Sequence, residues 1–428
     1  MSRDKHEIKP AGRLELAAWG LFDLANSAFA TVIVTFVFAT YFAKAVAPNE
    51  TEGTALWGWA MALSGIAVAL LAPIFGAIAD RGGPRKPWIA FFTLLCIVSC
   101  ACLWFVAPDQ QFIVLALILA GLANAAFEFG QVFYNAMLPG LASPQKIGRI
   151  SGWCLGLGYV GGLLCLGVTL LVFVRPEVAP FGLDKEMQEQ VRIVGPFVAL
   201  WFLVFALPLF FFTLDRPRKI KIPSNAVREG LGELYRTLVE LKTRPWIIRF
   251  LIARLLYIDG LAALFAFGGL YAAGTFGMSV EEILAFGIVL NITAGLGSFL
   301  FGWIDDRFGA KLTIEISLLC LIGLSTVILL VEGALWFWIL GSAIGIFIGP
   351  VQASSRSFMA RLVPPEQTTQ FFGLFALSGK VTAFVAPAGV AFLTAISDSQ
   401  RVGMSIIIVL FVLGLIVLRP LTVGEDPA

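Results

Sequence analysis

The chain has 428 residues, of which 59% are hydrophobic and 14% charged, and its mean hydropathy is +0.89. That apolar excess is too large for a water-soluble core and requires lipid. A net charge of +2 leaves no basic surplus for a polyanion, so no nucleic acid partner is expected.

Twelve apolar runs are long enough to cross a hydrocarbon layer of roughly 30 Å. In the first half they cover 16–44, 56–79, 88–106, 112–138, 150–174 and 193–214. In the second half they cover 246–273, 280–304, 312–331, 335–359, 371–396 and 402–418. The first run is too long for a cleaved leader and is expected to stay. The expected fold is an all-α membrane protein of twelve transmembrane helices in two pseudo-symmetric six-helix bundles, residues 1–214 and 246–428. Between them, residues 215–245 form the one sizeable connection. Within it Val227, Leu231, Leu234, Tyr235 and Leu238 recur at helical spacing among charged residues, which predicts an amphipathic tether lying at the interface.

Basic residues set the expected orientation. Arg3, Lys5, Lys9 and Arg13, then Arg81, Arg85 and Lys86, Lys146 and Arg149, the cluster in the central connection, Arg307, Lys311, Arg361 and Arg419 all fall on one side if the N-terminus is cytoplasmic. The opposite side receives Lys44, Arg175, Lys185, Arg192 and Arg401. Both termini are therefore expected inside, in a multi-pass protein of a bacterial inner (plasma) membrane. His6 sits in the charged N-terminal tail and is a poor ligand or base. The six cysteines fall inside the predicted spans, where small buried residues are expected rather than disulfides. No metal and no cofactor are expected.

One short connection occurs twice. The first copy reads Gly76-Ala-Ile-Ala-Asp80-Arg81-Gly-Gly83-Pro-Arg85-Lys86 and the second Gly302-Trp-Ile-Asp-Asp306-Arg307-Phe-Gly309-Ala-Lys311. The aspartates lie a little over half the chain apart, so a multi-helix unit is duplicated, as in secondary transporters. Glycine permits the turn, the acid can cap a helix, and the basic residues stay on the cytoplasmic side. Asp80, Arg81, Arg85, Asp306, Arg307 and Lys311 are thus gating candidates. Glycines of the fifth span (Gly152, Gly156, Gly158, Gly161, Gly162), the eighth (Gly295, Gly297) and the tenth (Gly341, Gly345, Gly349) are expected where helices approach closely.

Charges inside spans cost at least about 2.5–3.5 kcal/mol each and mark function. Asp23 lies in the first span, Glu128 in the fourth, Arg254 and Asp259 in the seventh, Arg356 in the tenth and Lys380 in the eleventh. On the fourth span Asn124, Glu128, Gln131 and Asn135 share one stripe. On the first, Asp23, Ser27 and Thr31 share another, with Asn26 beside them; on the tenth, Gln352, Ser355 and Arg356 form a polar face. Such stripes converging from both halves describe a hydrated central cavity.

Several strings carry a resemblance. Trp19-Gly-Leu-Phe-Asp23-Leu-Ala-Asn26-Ser27-Ala-Phe29, Phe133-Tyr134-Asn135-Ala136-Met-Leu138-Pro139, Gly158-Tyr159-Val-Gly161-Gly162, Leu256-Tyr257-Ile-Asp259-Gly260, Gln352-Ala-Ser-Ser355-Arg356-Ser357 and Phe371-Phe372-Gly373 with Gly379-Lys380 are spread over both halves. With the six-plus-six layout and paired loops, the chain resembles the major facilitator superfamily, and within it the vacuole-effluxer (autophagy-related amino-acid exporter-like) branch. Pro84 before Arg85 departs from the usual loop pattern. The resemblance implies rocker-switch transport, amino acids leaving a compartment as the known substrates, and cavity walls made by spans 1, 4, 7 and 10.

The expected function is therefore secondary active transport of a small polar or zwitterionic solute, an amino acid or short peptide favoured, by alternating access with protons as coupling ion. Acids of the first half would face the ammonium group and Arg356 the carboxylate. The substrate and proton candidates are Asp23, Asn26, Ser27, Glu128, Gln131, Tyr134, Asn135, Tyr257, Asp259, Gln352, Ser355, Arg356 and Lys380. Glu128 and Arg356 are expected to pair and part as the halves rock, taking up and releasing a proton; if they never meet, Asp23 or Asp259 becomes the carrier. A monomer in the lipid bilayer is expected. The segment from Gly373 to Val381 lacks a P-loop's spacing and its Ser or Thr after lysine, which excludes ATP hydrolysis there, and no loop is long enough for an enzyme domain. A solute sensor without turnover is the alternative.

Overall fold

The computed structural model describes residues 11–215, 232, 235–237, 239 and 241–421. Eleven helices among them are long and apolar enough to cross a membrane. They are α1 (Arg13–Val46), α2 (Glu50–Arg81), α3 (Lys86–Phe105), α4 (Gln110–Leu141), α5 (Ile147–Val174) and α6 (Glu189–Phe212), then α7 (Pro245–Phe276), α8 (Glu281–Phe308), α9 (Ala310–Leu330), α10 (Ala334–Leu362) and α12 (Gln400–Leu418). Between the last two lies α11, in two segments, Thr368–Ser378 and Val385–Ser397. The fold is the expected twelve-helix arrangement, and the chain is a multi-pass integral membrane protein. Leu70, Leu94, Ile118, Leu171, Leu300 and Ile416 are exposed on the outside of the helices, where lipid replaces a protein partner.

Local chemistry starts and stops these helices. Ser279 and Glu282 form a reciprocal capping box at the start of α8: Glu282 N–H donates to Ser279 Oγ at 3.2 Å and Ser279 N–H to Glu282 Oε2 at 2.8 Å. Asn49 Oδ1 accepts from Glu52 N–H at the start of α2. Gly309, with φ +93°, makes the turn from α8 to α9 that a side chain would strain. α1 is underwound into wide π turns over Phe29–Phe36, where Thr35 Oγ1 donates to the carbonyl of Ala30.

The expected eleventh span over 371–396 is interrupted: residues 379–384 run in turns. Pro387 cannot donate to a fourth-preceding carbonyl and crowds it, so a continuous helix through this point is disfavoured. The break places Lys380 and the start of the second segment at membrane depth.

α1 packs on α5 and α6, α3 on α4 and α6, α7 on α12, and α9 on α10 and α12. Contacts between helices before and after the central connection run chiefly along α5 with α8 and α2 with α11. Along α2 and α11 the backbones touch reciprocally: a Cβ on Gly76 would lie 2.6 Å from the carbonyl oxygen of Thr369, and one on Gly373 would lie 2.6 Å from that of Ala72. Of the glycines expected at close contacts, Gly152 and Gly156 face α8, whereas Gly158, Gly161 and Gly162 face α1, and Gly341, Gly345 and Gly349 face α8 within the second half. The predicted amphipathic tether and the N-terminal tail with His6 lie largely outside the described residues; within the connection, Tyr235 and Arg236 are exposed and Thr237 is buried. Cys96, Cys100, Cys154 and Cys165 are buried and unbridged.

The packing predicts that Gly373→Val, which forces α2 and α11 apart, destabilises the protein by about 1–3 kcal/mol. Gly323→Ala, at a position where a Cβ meets nothing within 4 Å, should leave thermal unfolding in detergent unchanged or slightly later. Equal melting temperatures for wild type and Gly373→Val would refute the tight contact.

Candidate functional site

The two repeated loops lie at one face of the bundle, called here the loop face, and each acid reaches across to the other half. Asp80, on the last turn of α2, accepts the backbone N–H of Gln370 in the first turn of α11 at 2.8 Å. Asp306, on the last turn of α8, accepts the N–H groups of Gly148 and Arg149 in the first turn of α5 at 2.9 and 3.2 Å. An anion at a helix start meets unpaired N–H groups and the positive end of the macrodipole, so each loop acid caps a helix of the opposite half.

Basic side chains tie these caps together. Arg85 lies 3.7 Å from Asp80 and donates to Thr369 Oγ1 at 3.0 Å, so the inserted Pro84 leaves Arg85 in reach of its partners. Arg149 Nε donates to Asp306 Oδ2 at 3.1 Å, and Arg361 of α10 reaches Asp305 at 2.6 Å and Asp306 at 3.6 Å. Ser357 donates to Asp305 Oδ2 at 2.6 Å. Two gating candidates behave differently. Lys311 donates to the carbonyl of Arg419 beyond α12 and pairs with Glu315 of its own helix, while Arg307 lies over the ring of Phe308. Arg81 lines a cleft with Asp80, Arg244 and Glu366. Asp305 and Thr369 were not singled out from sequence, and Arg149 and Arg361 were named only as orienting charges, because nothing in their spacing tells which helix ends face each other.

Deeper in, α10 inserts Arg356 into a pocket made by α1, α4 and α5. Its Nη1 donates to Asp23 Oδ2 at 3.1 Å and to Asn135 Oδ1 at 3.3 Å, Nε to Ser151 Oγ at 2.9 Å, and Nη2 to the Ser151 carbonyl at 2.6 Å. Asp23 and Arg356 are 4% and 6% exposed, so the charge is sequestered with its partners. Trp19 and Tyr134, stacked at 4.4 Å and bonded through Trp19 Nε1 to the Tyr134 carbonyl and Tyr134 Oη to the Trp19 carbonyl, close this pocket beneath the guanidinium.

The expected Glu128–Arg356 pair is not formed. Glu128 Oε1 instead accepts from Lys380 Nζ at 2.7 Å, linking α4 to the break in α11. Glu128 and Asn135 share a stripe but lie seven residues apart, about 10 Å along the helix, and it is Asn135 that sits level with Arg356. Periodicity gives the face of a helix, not the height at which a neighbour meets it.

Other candidates fall into place around these pairs. Tyr257 Oη and Ser355 Oγ are 2.7 Å apart, and Ser355 also donates to the Val351 carbonyl, joining α7 to α10. Asp259 Oδ2 accepts the N–H of Ala386 at 3.1 Å at the start of the second α11 segment. Asn124 donates to Ser64 Oγ at 2.7 Å, Gln131 is half-buried between the Glu128 and Asn135 turns, and Asn26 Nδ2 is buried without a hydrogen-bond partner among the described residues. On the side of the Arg356 layer away from the loop face lies a cavity of about 270 Å³, whose polar lining is Ser27, Thr31, Thr35, Tyr159, Asn291 and Gln352. Gln352, one turn from Arg356 on α10, donates to Tyr159 Oη at 3.4 Å. In this state the polar groups lining the cavity are neutral, and the Asp23–Arg356 and Glu128–Lys380 pairs lie outside that lining.

A twelve-helix bundle sealed at one face by reciprocal helix caps, with a mid-membrane cavity above a buried ion pair, is the construction of a major facilitator superfamily membrane transporter. The chain is similar over 96% of its length to a major facilitator transporter, FucP, solved in the outward conformation (TM-score 0.72, 14% identity, 98% of that chain). It is 27% identical over 406 residues to an uncharacterized MFS-type transporter, YxiO of Bacillus subtilis (strain 168), covering 94% of this chain and 93% of that protein. It is 26% identical over 392 residues to autophagy-related protein 22 of Pichia angusta, covering 79% of this chain and 69% of that protein. The family described as vacuole effluxer Atg22 like matches residues 45–425, and the chain belongs to it.

Removing Arg356 alone leaves the buried Asp23 uncompensated and should cost about 3–5 kcal/mol, whereas the double change Asp23→Asn with Arg356→Gln leaves no unpaired charge and should cost less. Melting temperatures of the two single variants and the double variant give this cycle; strictly additive losses would mean that the pair does not form.

Proposed function

We propose that the chain is a secondary active transporter that moves a small polar or zwitterionic solute, preferentially an amino acid or short peptide, by alternating access with protons as the coupling ion. The observation that carries this reading is Arg356, a cation of the second half buried on an acid of the first, one helical turn from Gln352 in the cavity wall. Opening the loop face pulls α10 and α11 away from α1, α4 and α5, which separates Asp23 from Arg356 and Glu128 from Lys380. Each freed charge then needs a new partner at membrane depth. A zwitterion supplies both, its ammonium to Asp23 or Glu128 and its carboxylate to Arg356 or Lys380. Binding of such a solute offsets the cost of parting the pairs, so occupied carriers turn over more readily than empty ones.

Residues 1–214 and 246–428 serve as the two rocking bundles, joined by the connection 215–245, in a monomer surrounded by lipid. The loop face is cytoplasmic together with both termini, as the distribution of Lys and Arg favours, and a bacterial inner membrane is the setting that this topology suits. The chain itself performs no covalent chemistry in this reading.

Protein reconstituted in vesicles preloaded with unlabelled amino-acid hydrolysate should exchange it for labelled hydrolysate added outside. Arg356→Gln, paired with Asp23→Asn to preserve folding, should lower the rate roughly tenfold or more, equivalent to about 1.4 kcal/mol or more in the barrier. Saturable binding with no exchange by the wild type would contradict transport and favour a sensor.

A further inference from the structure

The break in α11 is held at both ends by one helix. Arg254 of α7 donates from Nη1 to the Phe375 carbonyl at 2.5 Å and to Ser378 Oγ at 2.8 Å, at the end of the first segment, with its guanidinium 3.4 Å from the centre of the Phe375 ring. Five residues later, Asp259 accepts the Ala386 N–H at the start of the second segment. A cation at a helix end and an anion at a helix start are the signs that the backbone dipoles favour. α7 therefore braces the interruption, and in the gap sits Lys380, whose ammonium reaches Glu128 of the first half.

Asp259 differs from Asp23 and Glu128 in having no cation. It is 3% exposed, its Oδ2 meets one neutral N–H, and its Oδ1 is buried with no hydrogen-bond partner among the described residues. Apart from Tyr271, whose hydroxyl has no hydrogen-bond partner among the described residues and which lies about three turns further along α7, the charged and titratable groups of the elements packed on it are engaged elsewhere. On α7 itself, Arg254 holds α11 and Tyr257 meets Ser355. On α10 Arg356 holds Asp23, and on α11 Lys380 holds Glu128. α12 brings Leu410 and Phe411 against neighbouring Gly260, while its Arg401 binds the Leu329 and Val331 carbonyls at the other end. A bare carboxylate in such a place is stabilised far less by one backbone N–H than by a guanidinium, and it is neutralised most simply by a proton.

We propose that Asp259, at the break of α11, is where the coupling proton binds, with Oδ1 as the receiving atom, and that its occupancy is passed through the break to the Lys380–Glu128 pair. This rests on the proton-coupled reading above and names its site. Proton binding turns the carboxylate into a neutral carboxyl group, which weakens its hold on the Ala386 N–H and loosens the start of the second segment. Lys380 then gains the freedom to leave Glu128, and α11 can swing from α4. Loss of the proton restores the cap and the brace.

The test is an infrared pH titration of the intact protein in lipid, without substrate, following the carbonyl stretch of protonated carboxylic acids. A titrating band should be present in wild type, absent in Asp259→Asn, and retained in Asp23→Asn and Glu128→Gln. Asp259→Asn keeps an acceptor for Ala386; should it fail to fold, Asp259→Glu is read instead and should return the band with a shifted midpoint. In vesicles, labelled hydrolysate uptake by Asp259→Asn should no longer respond to an imposed pH gradient, whatever its level. A band that survives in Asp259→Asn and disappears in Glu128→Gln or Asp23→Asn overturns the assignment. If wild type shows no uptake but the Asp259 band titrates, the site stands and the transport reading fails.

Discussion

The buried contact between Arg356 and Asp23 is the constraint on which the arrangement of the two halves depends. A guanidinium at membrane depth has no water to fall back on, so its donors must be met by protein. Here Asp23, Asn135, Ser151 Oγ and the Ser151 carbonyl meet them, and all four belong to the first half while the arginine belongs to the second. The satisfied pair is weak evidence for overall stability, because desolvation offsets much of its attraction. Its consequence is geometric: α10 can leave α1 and α5 only if something else takes over the exposed charges. In the proposed transport cycle, that requirement would make the ion pair a condition on opening and couple opening to occupancy.

Below this layer, on the side away from the cavity, the loop face repeats one physical device twice. Asp80 caps α11 and Asp306 caps α5, so the duplicated loops lock the halves reciprocally rather than each fastening its own bundle. A helix cap is worth about 0.5–2 kcal/mol. Inverting a two-state population from 1:99 to 99:1 takes about 5.5 kcal/mol, so the caps and their arginines together are of the size that ligand binding can overturn. The close glycine contacts of α2 with α11 let Asp80 reach the start of α11, since a side chain at Gly76 or Gly373 would push the two backbones apart.

Much of this was readable from the residues, for reasons that also mark where reading stopped. Span lengths follow from hydrocarbon thickness, and eleven of the expected runs became continuous helices. The exception, 371–396, holds Lys380 and Pro387, a charge and a missing donor that a hydropathy average conceals. The loops could be recognised because Gly, Asp and Arg recur in order, yet the partners Arg149, Asp305 and Arg361 had no such signature, and Lys311 and Arg307 matched the pattern without crossing to the other half. The polar stripes of α1, α4 and α10 were visible from spacing. Which rungs meet was not: Arg356 pairs with Asp23 beside Asn135, and Glu128 turns to Lys380, because relative height depends on loop lengths and tilt that periodicity does not encode.

The reciprocal closure of the loop face is tested most directly by a spin-label distance across it. Labels at Gln145→Cys, in the connection from α4 to α5, and Glu366→Cys, just before α11, both exposed, can be placed on a cysteine-free background in lipid. With both caps intact the distance distribution should be dominated by one short component. Asp80→Asn combined with Asp306→Asn should shift population into a longer one. A distribution that is already long with the caps intact, or that stays short and unchanged when both are neutralised, would contradict the closure.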